Sequence, residues 1–199
     1  MKSIAPAALA VSALLLAAGG ALLYWGSSAE AELPVVSRVP AFSFQSEERR
    51  EFTRNDLEGK VTIADFIFTS CAGTCPMMST SMRSLQDELA QDSVVQFVSF
   101  SVDPETDTPE ALEAYARGYG ATKGKWIFLT GDKKEIYALT REGFHLGLDT
   151  EGEDAVIHSQ KFVLVDARAD IRGYYDSDDP EAMQRLVSDA RRLAGKAGR

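Results

Sequence analysis

VTIADFIFTSCAGTCPMM, residues 61 to 78, is the stretch on which the reading of the fold turns. Its first half is an apolar run from Val61 to Phe68, β-branched and long enough for a buried central strand, with Asp65 its one charge. Its second half holds both cysteines of the chain, Cys71 and Cys75, followed at once by Pro76. Proline is tolerated in the first turn of a helix, where its missing N–H would be unpaired anyway, so a helix is expected to begin at or near Cys75-Pro76. Met78, Met82, Leu85 and Leu89 then recur at helical spacing and read as its core face. This places Cys75 at the positive end of the helix dipole, where thiolate is favoured over thiol. Cys71 falls on the preceding loop, and Ala72-Gly73-Thr74 are small enough to let both sulfurs face one point.

The same alternation continues outward. Phe42, Phe44 and Glu51-Phe52-Thr53 flank a charged turn and suggest a short leading hairpin. VVQFVSFSVD (94–103) and WIFLTG (126–131) read as further buried strands. TPEALEAYARGYG between them reads as a helix with Thr108 as N-cap and Pro109 at its first position. KEIYALTREGF is expected to be a helix, IHSQKFVLVDA a fourth strand, DIRGYYD its hairpin partner, and PEAMQRLVSDARRLAGKAG a closing amphipathic helix. Strands alternating with helices predict an α/β layered domain, in which ligands gather at the carboxyl ends of parallel strands. The cysteines lie at such an end.

As chemistry, three residues between the thiols allow a disulfide but also let two thiolates converge on an ion. Soft dithiolate selects Cu(I) or zinc, and one imidazole added to it makes a site that copper accepts in either redox state. The chain has two histidines, His145 and His158. His145 reads as a hydrogen-bonded or surface residue in a loop, whereas His158 precedes a strand whose start is expected near the active edge of the sheet. Met77 and Met78 invite a thioether reading, against which Met78 and Met82 at helical spacing read as core; Asp65 would need a partner if buried, and Asp103 reads as a turn cap or site residue. A thiol-disulfide couple and a structural disulfide remain open beside the metal site. A staple closing so short a loop gives little stabilisation.

Before the domain, residues 4 to 26 run without a charge, long enough to cross a bilayer as a helix, with Tyr24 and Trp25 as an interfacial belt. Ala29-Glu30-Ala31 offers a signal-peptidase site, but the apolar run exceeds the usual h-region, and an uncleaved anchor is the reading taken. Lys2 predicts the N-terminus in the cytoplasm and the remainder exported. The expected organisation is an anchor over 1–26, a tether over 27–40 and one domain over 41–199. A formal net charge of −9 disfavours nucleic-acid binding.

With these motifs placed, the sequence resembles the Sco/SenC family of membrane-anchored, thioredoxin-like proteins of cytochrome oxidase copper-centre assembly. The residues that carry the resemblance are DFIFTSCAGTCPMM (65–78), SFSVDPETDTPEALEAYA (99–116), WIFLTG (126–131) and HSQKFVLVDARADIRGYYD (158–176). It implies a thioredoxin-like fold, a central mixed sheet flanked by helices, and a site for copper, Cu(I) or Cu(II), made by Cys71, Cys75 and His158. It also implies delivery of copper to the binuclear centre of cytochrome c oxidase subunit II, or reduction of that centre's cysteines. The implied partners are the subunit II domain and a further copper chaperone. The implied location is the bacterial inner membrane with the domain in the periplasm, or its mitochondrial equivalent facing the intermembrane space. One departure is Ala167-Arg168-Ala169-Asp170, where the family's turn carries Pro and Gly.

Overall fold

The computed structural model describes residues 32–147 and 159–197, so the segment read as a membrane anchor and His158 both lie outside the described residues. Among the described residues eight strands form one mixed sheet: β1 (Ser37–Arg38), β2 (Ser43–Ser46), β3 (Glu51–Thr53), β4 (Val61–Ile67), β5 (Val95–Ser101), β6 (Trp126–Thr130), β7 (Lys161–Val165) and β8 (Asp170–Asp176), in the order β1-β8-β7-β4-β5-β6-β2-β3. Only β4, β5 and β6 run parallel; the leading hairpin pairs antiparallel with β6, and β7 pairs antiparallel with β4. The helices are α1 (Thr74–Glu88), α2 (Pro109–Gly118), α3 (Lys133–Ala138) and α4 (Pro180–Ala197). A mixed sheet flanked by helices is the architecture that the resemblance implies.

Both faces of the sheet are covered, which is why the central strands read as unbroken apolar runs and not as alternating ones. Val61, Ile63 and Ile67 of β4 pack with Met78, Met82 and Leu85 of α1, with Leu112 of α2 and with Leu186, Ala190 and Leu193 of α4. Ala64 and Phe66 point the other way, into a second cluster with Phe44, Phe100, Ile136 and Phe144. There the rings of Phe66 and Phe100 stack at 5.1 Å and Phe144 meets Phe66 edge-on.

The caps follow the sequence. Thr108 Oγ1 accepts from the Ala111 amide at the start of α2, and Asp132 Oδ1 accepts from Lys134 and Glu135 at the start of α3. After α3 the chain widens into a π turn over Leu139–Gly143, where a Cβ on Gly143 would meet Pro40 at 2.8 Å.

The stretch read as a tether needs correction at its end, because the chain joins the domain from Leu33 onward. Val36 and Val39 donate to Ile171 and Ala169 carbonyls at 2.9 Å, Val39 is fully buried, and Arg172 holds the carbonyls of Leu33 and Pro34. Proline and small polar residues there announce an edge strand as well as a linker, and the backbone pairing decides between them.

The turn that departs from the family's pattern is rebuilt by a carboxylate. Asp166 Oδ1 accepts from the amides of Arg168 at 2.8 Å and Asp170 at 3.1 Å, while Ala169 takes the left-handed conformation at φ 59°. Arg172 Nη1 donates to Asp166 Oδ2 at 2.6 Å, and both side chains are under a tenth exposed. Aspartate thus supplies in side-chain bonds what Pro and Gly supply in backbone preference.

Candidate metal and thiol site

Cys71 and Cys75 come together beyond the carboxyl end of β4. The strand ends at Ile67, the amide of Cys71 closes a turn onto the Phe68 carbonyl at 3.3 Å, and α1 starts at Thr74. Cys75 is therefore the second residue of its helix and Pro76 the third, within the first turn as expected. The small residues let the loop fold back: the Gly73 amide approaches Cys71 Sγ at 3.4 Å, and a Cβ on Gly73 would lie 3.8 Å from the same sulfur.

The environments of the two sulfurs differ, and their order reverses the expectation. Cys75 is only 5% exposed and belongs to the core cluster of α1 and β4. Burial pushes its thiol up to about 12 against a donation from the Phe68 amide, and the neighbouring Cys71 and Asp65 push the same way. Burial also acts on Cys71, but hydrogen bonds from the Cys75 amide and thiol and from the Gly73 and Thr74 amides outweigh it and bring Cys71 below its ordinary value. The helix start therefore stabilises thiolate on the half-buried loop cysteine and not on the helical one, because desolvation exceeds the dipole at Cys75.

The loop is also gripped from a neighbouring crossover. Asp107, fully buried, accepts from the Thr69 amide at 3.1 and 3.2 Å, from the Thr69 hydroxyl, and from Ser101 Oγ at 2.6 Å. Sequence reasoning passed over Asp107 in favour of Asp103, four residues earlier. Asp103 contributes its carbonyl, which accepts from the Thr106 and Asp107 amides at 3.1 and 2.8 Å. Its place in DPETD, at the end of a buried strand and before an N-cap, is the signal that could have pointed to Asp107.

Asp65 lies in β4 opposite Ser99 of β5, with no exposure and no well-aligned hydrogen bond to either carboxylate oxygen. Burial raises it to about 7, tempered by the Ser99 hydroxyl, which itself accepts from Trp126 Nε1 at 2.9 Å. Met78 and Met82 are core residues, whereas Met77 is 62% exposed on the first turn of α1. His145 is exposed in a loop at φ 50°, in keeping with its surface reading. Ala64 faces Val163, so β7 enters the sheet beside the last residues of β4, and Ser159 and Gln160 lead into it from that edge. Among the described residues no cluster of three or more His, Cys, Asp or Glu side chains is placed to hold a metal.

Comparison with known proteins agrees with this architecture. The family profile described as SCO1/SenC matches residues 32–194. The SCO1 protein homolog of Bacillus subtilis is 35% identical over 161 residues, which cover 79% of this chain and 83% of that protein. The structure of BsSco, described through a disulfide switch in a member of the Sco family of cytochrome c oxidase assembly proteins, shares 32% identity at TM-score 0.72, covering 81% of this chain and 96% of that one. The structure of Arabidopsis thaliana ScoI with copper bound shares 25% identity at TM-score 0.65, covering 78% and 99%. The match of profile, relatives and fold over the whole described domain establishes that the chain belongs to the SCO1/SenC family.

Proposed function

We propose that the protein is a copper metallochaperone in which Cys71, Cys75 and His158 bind copper and hand it to the binuclear copper centre of cytochrome c oxidase subunit II. The observation that carries this reading is the pair of thiols at the strand end, one half-exposed with its thiolate stabilised and one buried against the core. Two sulfurs at one point are a soft donor set that suits Cu(I), and the imidazole proposed from the family motif would extend it to Cu(II). Copper bound to a relative, Arabidopsis thaliana ScoI, supports the choice of metal. Handover proceeds by ligand exchange: Cys75 keeps the ion anchored while the half-exposed Cys71 is displaced first by an acceptor's soft ligand. Loading requires Cys75 to lose its proton, which the approaching cation compensates. We further propose that residues 1–26 anchor the protein in the bacterial inner membrane with the domain on the outer face, where the oxidase domain and a copper-supplying chaperone can reach it.

The test is copper titration of the reduced and oxidised full chain, read by stoichiometry and by sulfur-to-Cu(II) charge transfer. Cys71→Ser and His158→Ala are expected to lose the spectrum; unchanged binding in either removes that residue from the set. The inequality of the two thiols also favours a second reading, a thiol-disulfide oxidoreductase with Cys71 attacking and Cys75 resolving. Its signature is reductase activity that survives in His158→Ala while copper binding is lost.

A further inference from the structure

We propose that Asp107 is a positioning residue that clamps the Cys71 loop in its open, dithiol arrangement. The inference rests on the reading of Cys71 and Cys75 as a redox-active, metal-binding pair. Cys75 is fixed twice, by the first turn of α1 and by burial in the core, so it has little freedom to move. Cys71 is on the loop, its amide bonded to the Phe68 carbonyl at 3.3 Å, and the nearest side-chain hold upstream of it is at Thr69. That hold comes from a carboxylate 38 residues away in sequence, at the start of the crossover into α2, which is itself tied to the end of β5 through Ser101. Asp107 is fully buried, so water does not substitute for it.

The consequence concerns closure of the disulfide. Both thiols are free in the structure. Forming the bond brings the sulfurs to ~2.05 Å, and since unbonded sulfurs stand no nearer than van der Waals contact, the pair must close by roughly 1.5 Å or more. Cys75 being fixed, Cys71 makes that movement and pulls on Thr69 through Ser70. The Asp107 clamp resists the pull and so favours the dithiol, the state that binds metal. Loosening the clamp relieves the resistance and makes the pair easier to oxidise.

The experiment equilibrates the full chain, in detergent micelles and without metal, against glutathione redox buffers. The protein's two thiols give up two electrons and two protons to oxidised glutathione, yielding one intramolecular disulfide and two glutathione thiols. Asp107→Asn is expected to shift the equilibrium about tenfold toward the disulfide, equivalent to about 30 mV for the two-electron couple. Thr69→Val, which keeps the amide bond but loses the hydroxyl, shifts it in the same direction by less, and Thr69→Ser restores the wild-type value. Urea unfolding run in parallel separates this from loss of stability, and Thr69→Val serves if Asp107→Asn fails to fold. Variants that titrate with the wild type, or toward the dithiol, overturn the clamp alone. A wild type that forms no Cys71–Cys75 disulfide at any buffer ratio overturns the redox reading and the clamp with it.

Discussion

Iodoacetamide at neutral pH is expected to label Cys71 of the native protein far faster than Cys75. The thiolate is the reacting species, and raising a thiol from 9.0 to about 12 cuts its thiolate fraction about a thousandfold. The more basic thiolate is intrinsically more nucleophilic, and a Brønsted coefficient of ~0.4–0.5 returns roughly twentyfold of that loss. Cys75 should therefore react about fiftyfold more slowly than an ordinary thiol, before its 5% exposure adds a steric barrier. Cys71, half-exposed and shifted downward, reacts faster than ordinary, so the ratio between the two exceeds about fiftyfold. Mass spectrometry of quenched aliquots gives both rates from one sample, and denaturant should bring them together. If Cys75 in the folded protein labels within about fivefold of Cys71, or ahead of it, desolvation does not govern this site and the assignment of attacking and anchoring sulfurs fails.

Asp65 sets a pH dependence of opposite sign to the usual carboxylate. Its folded value of about 7 lies above the 3.8 of the unfolded chain, so the native state holds the extra proton between these limits and stability falls as pH rises through the window, by roughly 4 kcal/mol at most. Urea unfolding from pH 4 to 7 should show that slope in the wild type and a flattened one in Asp65→Asn; equal slopes would mean that Asp65 ionises freely in the folded protein. Asp166→Ala should cost about 3–5 kcal/mol in the same assay, because it removes the buried carboxylate from the Arg172 guanidinium and unpicks the β7–β8 turn. A loss below about 1 kcal/mol would show that water or the Leu33 and Pro34 carbonyls satisfy Arg172 unaided.

What the sequence discloses and what it conceals divide by range. Val61–Ile67, Val95–Ser101 and Trp126–Thr130 are buried on both faces, so their apolar runs are legible without knowing their neighbours. Pro76, Thr108 and Pro109 mark helix starts because capping is a property of a few adjacent residues. The balance at the cysteines was not legible, since it sets a local dipole against burial by α1 and β4, and burial is a tertiary quantity. The grip of Asp107 on Thr69 was hidden for the same reason, as was the pairing of Ser37–Arg38 with β8 across the domain. His158 was singled out by motif, and it lies outside the described residues.

Among the described residues the sheet ends on one side in a strand of two residues bearing Arg38 and on the other in a strand of three bearing Glu51. Edges so short and so charged offer almost no template for another chain's backbone, which guards the domain against edge-to-edge aggregation. The same design constrains recognition. Sheet extension is a poor route to recognition here, which leaves side-chain surfaces, the helix faces and the strand-end loops that carry the sulfurs, as the places where a partner can be read.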